Sequence, residues 1–127
     1  MGFKLGGTEF LFKKGANTYQ RTKDKEYPLI SFAKALCPPN LSPKPPYIVL
    51  WSTESEKARA LKKIGERIFL MKVDDLETRL HRPLGRKGFV VTLTSPKWRS
   101  FLDREVPKVE VKSHLEALAA PTPATVG

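Results

Sequence analysis

The chain has one cysteine, two histidines and two methionines in 127 residues, and each shortage closes off a class of function. A lone thiol, Cys37, allows no internal disulfide and no cysteine-built metal site; at the end of a short apolar run it reads as a buried structural thiol. His81 and His114 lie far apart in the chain with no acidic motif beside either, which is poor material for a ligand set or a general base. No Gly-x-Gly-x-x-Gly, phosphate loop, nucleophile elbow or His-Glu-x-x-His signature occurs, so the chain is read as non-enzymatic, with neither cofactor nor metal. No run of about 18 apolar residues occurs and the N-terminus lacks the apolar centre of a signal peptide. The expectation is an intracellular protein with no membrane partner, in the nucleus or cytoplasm of a host cell if it is viral.

Acidic residues are scarce too: 13 Asp and Glu against 23 Lys and Arg give a net charge of +10. Residues 1–46 hold 8 basic and 3 acidic side chains, for +5, and residues 47–112 hold 15 and 9, for +6. The remainder adds only Glu116, so the charge belongs to the body of the chain and not to one basic tail. A basic excess of this kind favours polyanions, nucleic acid first among them.

Three β-type runs stand out: Tyr47-Ile-Val-Leu-Trp51, Ile68-Phe-Leu-Met-Lys-Val73 and Phe89-Val-Val-Thr-Leu-Thr94. Val106-Pro-Lys-Val-Glu-Val111 is a fourth, looser alternation. Thr53-Glu-Ser-Glu56 matches a capping box, and Leu61 and Ile64 share one side of the helix it would open, opposite Arg59, Lys62 and Lys63. Ser95-Pro96 supplies a cap and a first-turn proline for a second helix, with Trp98, Phe101 and Leu102 spaced to pack on the sheet. The order strand, helix, strand, strand, helix, strand predicts an α+β, ferredoxin-like βαββαβ domain over 47–112.

Ahead of it, Phe3-Lys-Leu5 and Glu9-Phe-Leu-Phe12 flank Gly6-Gly7-Thr8, which predicts a β-hairpin. Residues 13–26, with Lys13, Lys14 and Arg21, read as an exposed basic arm, and Pro28–Leu36 as a short helix. The expected organisation is therefore 1–37 hairpin, loop and helix; 38–46 proline-rich connector; 47–112 main domain; 113–127 short helix and loose tail. Between the second and third strands, Asp74 opens a helical turn, and Arg79-Leu-His-Arg-Pro-Leu-Gly-Arg-Lys87 forms the densest basic cluster, marked as a loop by its proline and glycine. Such a loop beside a sheet is a natural place for phosphate contacts. Asp74, Asp75 and Glu77 are carboxylates that could serve a divalent cation in a nuclease-like reading, but they are better explained as residues favoured at a helix start.

Two families share the expected strand order. Gly85-Arg-Lys-Gly-Phe-Val-Val-Thr-Leu93 is similar to the third-strand motif of the RNA-recognition motif at Lys87, Gly88 and Phe89, with Val91 where that module carries a second aromatic. Alternation puts Phe89, Val91 and Leu93 on the core face, so Phe89 is expected inside. Over Pro46–Val111, the segments Pro46-Tyr-Ile-Val-Leu50, Val91-Thr-Leu-Thr94, Trp98-Arg99, Phe101-Leu102 and Val106-Pro107-Lys108 resemble the C-terminal DNA-binding domain of the papillomavirus protein that regulates viral transcription and replication. That resemblance implies a homodimer closing a shared β-barrel and a first helix in the DNA major groove, with Lys57, Arg59, Lys62 and Lys63 facing DNA. Ile68–Val73 lacks the family's tryptophan-rich interface strand.

The reading from the sequence is a nucleic-acid-binding protein, DNA or RNA, in the form of a viral-type regulatory module. Its candidate contacts are Lys57, Arg59, Lys62, Lys63, Arg82, Arg86 and Lys87. The alternative is a small structural or adaptor subunit of a virion or multiprotein assembly.

Overall fold

The computed structural model describes residues 2–21, 26–33, 43–54, 65–85 and 87–119. It is a mixed α+β chain built on one curled sheet of six strands: β1 (Gly2–Leu5), β2 (Thr8–Arg21), β3 (Glu26–Phe32), β4 (Tyr47–Glu54), β5 (Arg67–Lys72) and β6 (Phe89–Thr92). The path across the sheet is β5-β4-β2-β3-β6, with β1 paired to β2 as well. β2 and β4 run parallel, from Phe10 opposite Tyr47 to Asn17 opposite Glu54, and every other pairing is antiparallel. That path is not the four-strand order expected within 47–112, because two N-terminal strands take central places in the sheet.

The glycine pair does what its spacing predicts. Gly6 and Gly7 both have positive φ in the turn joining β1 to β2. The strand that follows is longer than expected, since β2 continues through Lys13–Arg21, the stretch read as an exposed arm. Lys13 is half-buried and Lys14 exposed; a lysine can lay its aliphatic stem on an apolar surface and keep its charge in water, so a polar sequence can occupy a central strand. Residues Pro28–Phe32 are likewise strand and not the start of a helix. Ile30 and Phe32 alternate into the core, and Pro28 is tolerated for an edge reason. Its carbonyl accepts from Leu93 N–H at 3.1 Å, just beyond the last β3–β6 pair, Leu29 with Thr92. The N–H that proline lacks would point the same way, toward Leu93 past the end of β6, so the β2–β3 ladder loses no bond and only the reciprocal of the Leu93 bond is missing.

The fourth expected strand is also corrected. Only Glu105 bridges to β5, at Phe69, and Val106 N–H donates to Ile68 O at 2.8 Å. Pro107 then leads into a 3₁₀ turn, Lys108–Glu110, and α3 (Val111–Ala119). Proline without an N–H ends the pairing, and Val109, 92% exposed, has no sheet to join. The start of the capping-box helix is corrected as well: Thr53 and Glu54 are still in β4, and the rest of that expected helix lies outside the described residues. Cys37 and the connector from 38 to 42 also lie outside them. As expected, Ser95 caps the turn Pro96–Trp98, its side chain accepting from Lys97 N–H, and α2 (Arg99–Leu102) follows. The acidic turn after β5 is a full helix, α1 (Val73–Leu80).

The sheet has apolar side chains on both faces. One face carries Leu11, Ile30, Phe32, Ile48, Leu50, Phe69, Met71, Phe89 and Val91, closed by Val73 and Leu76 of α1 and by Trp98 and Phe101. The other carries Phe10, Val49 and Ile68 under Val111, Leu115 and Ala119 of α3, residues one helical turn apart. Phe89 is buried against Phe32, Trp98 and Phe101, so it cannot stack a base.

Gly15 sits under the Phe32 ring, and a Cβ there would lie 2.5 Å from Phe32 Cε1. Gly15→Ala is expected to cost about 1–3 kcal/mol in urea unfolding, as overpacking does. Gly85→Ala, where a Cβ meets nothing within 4 Å, is expected to stay within about 0.5 kcal/mol of the parent.

Candidate nucleic-acid interface

The basic cluster 79–87 begins in the last turn of α1 and continues into the loop that feeds β6. α1 stops at His81, which takes the left-handed conformation (φ 58°) and donates its N–H to Glu77 O and Thr78 O. A residue in that conformation, more often glycine, ends a helix and redirects the chain. Two side chains then shape the loop. Arg82 donates from Nη1 to Lys87 O at 3.3 Å and from Nη2 to Gly88 O at 2.6 Å, closing residues 82–88 into a ring. Gly88 is packed so tightly against Phe32 O and Ala33 that it has no room for a Cβ. Arg82, expected as a phosphate contact, thus spends part of its guanidinium holding the loop. Lys87 is exposed, and Arg86 lies outside the described residues.

Glu77 supports the loop from inside. Its Oε2 accepts Leu84 N–H at 2.7 Å and pairs with Lys44 of the proline-rich connector. Partial burial would raise its pKa, but the Lys44 hydrogen bond, the Leu84 amide and the Lys44 charge outweigh that and hold it below the usual carboxylate range. Asp74 and Asp75 are exposed in the first turn of α1, as a helix start favours. Among the described residues no three His, Cys, Asp or Glu side chains converge to hold a metal ion, and no helix is long and apolar enough to cross a membrane.

Tertiary structure adds cations that sequence proximity does not connect. Arg79 Nη1 donates to Lys97 O at 2.9 Å, tying the end of α1 to the turn before α2. Arg104, after α2, lies 3.6 Å from Asp75. Between the two helices runs a groove of about 410 Å³, with Met71 and Phe101 at its floor and Thr78, Arg79, His81, Ser100 and Arg104 around it. Arg79 and Arg104 therefore share one concavity with His81, and among the described residues Asp75, which pairs with Arg104, is the one acid in its lining. Arg104 is not among the sequence candidates, because nothing local links it to residues 79–87.

The other predicted patch belongs to the β4–β5 connection. Lys57, Arg59, Lys62 and Lys63 lie outside the described residues, but the ends of their segment are described. Gly65 N–H donates to Glu54 Oε1, and Asn17, fully buried, donates from Nδ2 to Gly65 O at 2.6 Å and to Glu54 Oε1 at 3.4 Å. Because β2 and β4 are parallel, the chain leaves Arg21 and Glu54 at the same end of the sheet. By register Glu54 lies level with Ile30 of β3, and the loop carrying Arg82 and Lys87 enters β6 beside Phe32, two residues further along β3.

Comparison with protein-family models, with curated proteins and with solved structures finds no match.

The Glu77 contacts predict a pH signature. A depressed carboxylate contributes stability above its unfolded pKa and loses it as pH falls through the lowered folded value. Glu77→Gln should therefore be less stable than the parent at pH 7, with the difference shrinking on acidification, as followed by urea unfolding from pH 7 to pH 3.

Proposed function

We propose that this chain is a non-enzymatic nucleic-acid-binding protein that gains its affinity by neutralising phosphates. The observation that carries this reading is the convergence of Arg79, His81 and Arg104 on one groove, beside the Arg82–Lys87 loop, in a chain of net charge +10. A guanidinium offers a fork of donors that matches a phosphate, and Arg79 uses one of its five N–H groups on Lys97 O. Thr78 and Ser100 bring hydroxyls to the same groove.

Lys57, Arg59, Lys62, Lys63 and Arg86 are proposed as further contacts on the strength of the sequence. The finer form of the reading is a regulatory DNA-binding module of papillomavirus type, for which duplex DNA is the preferred probe and a homodimer the expected state. An RNA-binding role is the corresponding reading for an RNA probe. A structural or adaptor subunit is the competing class.

Fluorescence polarisation against short duplex DNA, single-stranded DNA and RNA, over a salt series, tests the proposal. Binding is expected to weaken linearly in log–log form with salt. Lys87→Glu with Arg104→Glu should weaken binding to every sequence and lower the slope by about one for each phosphate left without its cation. Lys62→Glu with Lys63→Glu tests the other patch in the same way. Absence of binding at low salt, or binding indifferent to both charge reversals, would sink the reading in favour of the adaptor class.

A further inference from the structure

Among the described residues, α3 covers only part of the sheet face on which it packs. Beyond that helix the pairing register sets Val90, Ser31, Ala16 and Thr53 opposite one another in one row across β6, β3, β2 and β4. Ala16 and Thr53 are exposed, Ser31 is half-buried and Val90 is 45% exposed. Three of the four side chains are small, so the row forms a nearly flat floor. Lys14 and Trp51 stand opposite each other in the register next to it, on the same face. Lys14 is exposed and Trp51 half-buried.

Trp51 is held in place. Its Nε1–H donates to Glu66 Oε2 at 2.8 Å, and Glu66 Oε1 is paired with Lys108 Nζ at 3.0 Å. The Phe12 ring lies 6.4 Å from it at 58°. Phe12, Lys14, Trp51, Thr53 and Glu66 line a shallow concavity of about 320 Å³. Glu66, the one acid there among the described residues, is engaged by the indole and by Lys108, and Lys14 supplies a positive charge at the mouth.

We infer that this face takes the unpaired bases of a single-stranded nucleic acid, with one base stacked against Trp51 and the adjoining phosphate near Lys14. The inference rests on the general nucleic-acid reading above and, in place of its duplex-DNA form, specifies a single strand. An indole with a fixed plane stacks a base of any sequence, a floor of small residues admits a flat ring, and a neighbouring ammonium tracks the backbone. A duplex presents no base face to such a surface, because its bases are stacked on one another. Charge complementarity favours this occupant over an apolar protein segment, since Lys14 lies within the patch and the chain as a whole is strongly basic.

The test compares a thymidine oligonucleotide with a strand of the same length and charge in which the bases are missing. The parent protein should bind the intact strand about tenfold or more tightly than the base-free one, the range that stacking on an aromatic supplies. Trp51→Leu should bring that ratio close to one while leaving the salt slope for the base-free strand unchanged. Ala16→Gln, an exposed position away from both core clusters, should lower the ratio by crowding the floor without altering charge, so the test survives if Trp51→Leu fails to fold. Equal affinity for the two strands in the parent, preference for duplex, or a ratio that both folded variants leave intact would overturn the inference while sparing phosphate binding. If neither strand binds at low salt, the nucleic-acid reading itself fails.

Discussion

Strand β2 is hydrogen-bonded along both edges, and the rest of the chain is arranged around that fact. β4 lies parallel along one edge, while β1 and then β3 occupy the other. A central strand must satisfy its backbone on both sides and its side chains on both faces, which explains the residues that look out of place in it. Gly15 leaves room for the Phe32 ring. Asn17, buried and polar, bonds to the two residues at which the β4–β5 connection leaves and returns. Without that strand the two halves of the chain would share no sheet.

Burial on both faces also decides where charge can go. Apolar side chains take the sheet interior on the α1–α2 side and under α3, which leaves the cations for strand ends, loops, helix rims and, at Lys13 and Lys14, the middle of β2 outside both clusters. Several of them meet acids there: Lys44 with Glu77, Arg67 with Glu105, Arg104 with Asp75 and Lys108 with Glu66. The exposed pairs among them, Arg104 with Asp75 above all, are worth little to stability and are easily exchanged for a stronger partner, whereas the half-buried Lys44–Glu77 pair braces the loop. An arginine paired with one carboxylate at 3.6 Å, as Arg104 is, can turn toward a phosphate at small cost.

Much of the candidate site is legible in the chain. The loop at Pro83 and Gly85 and the capped turn at Ser95-Pro96 follow from local chemistry, because caps, prolines and glycines act within a few residues, whereas the helix after β5 opens at Val73, before Asp74, with Lys72 in the cap position. The inward direction of Phe89 follows from alternation in the same way. What the local signal misplaces are segments whose preference is weak or misleading. Lys13–Arg21 is polar enough to look like a loop, Pro28 at the head of an apolar run mimics a first helical turn, and Val106–Val111 mixes valines with a proline that ends pairing. In the first two a strand partner outweighs the local signal, and in the third the proline itself stops the pairing.

The sequence by itself determined an α+β chain with a basic body, a single cysteine and no signature chemistry, and with its densest cations in the loop after α1. Those are properties of composition and short-range spacing. Only the tertiary structure decided that β2 would join β4 in parallel, that Arg104 would meet Arg79 across a groove, and that Lys14 would stand beside Trp51 on an open sheet face. Each of these pairs residues that are distant in the chain, and register between strands is set by the packing of whole faces, not by any one segment.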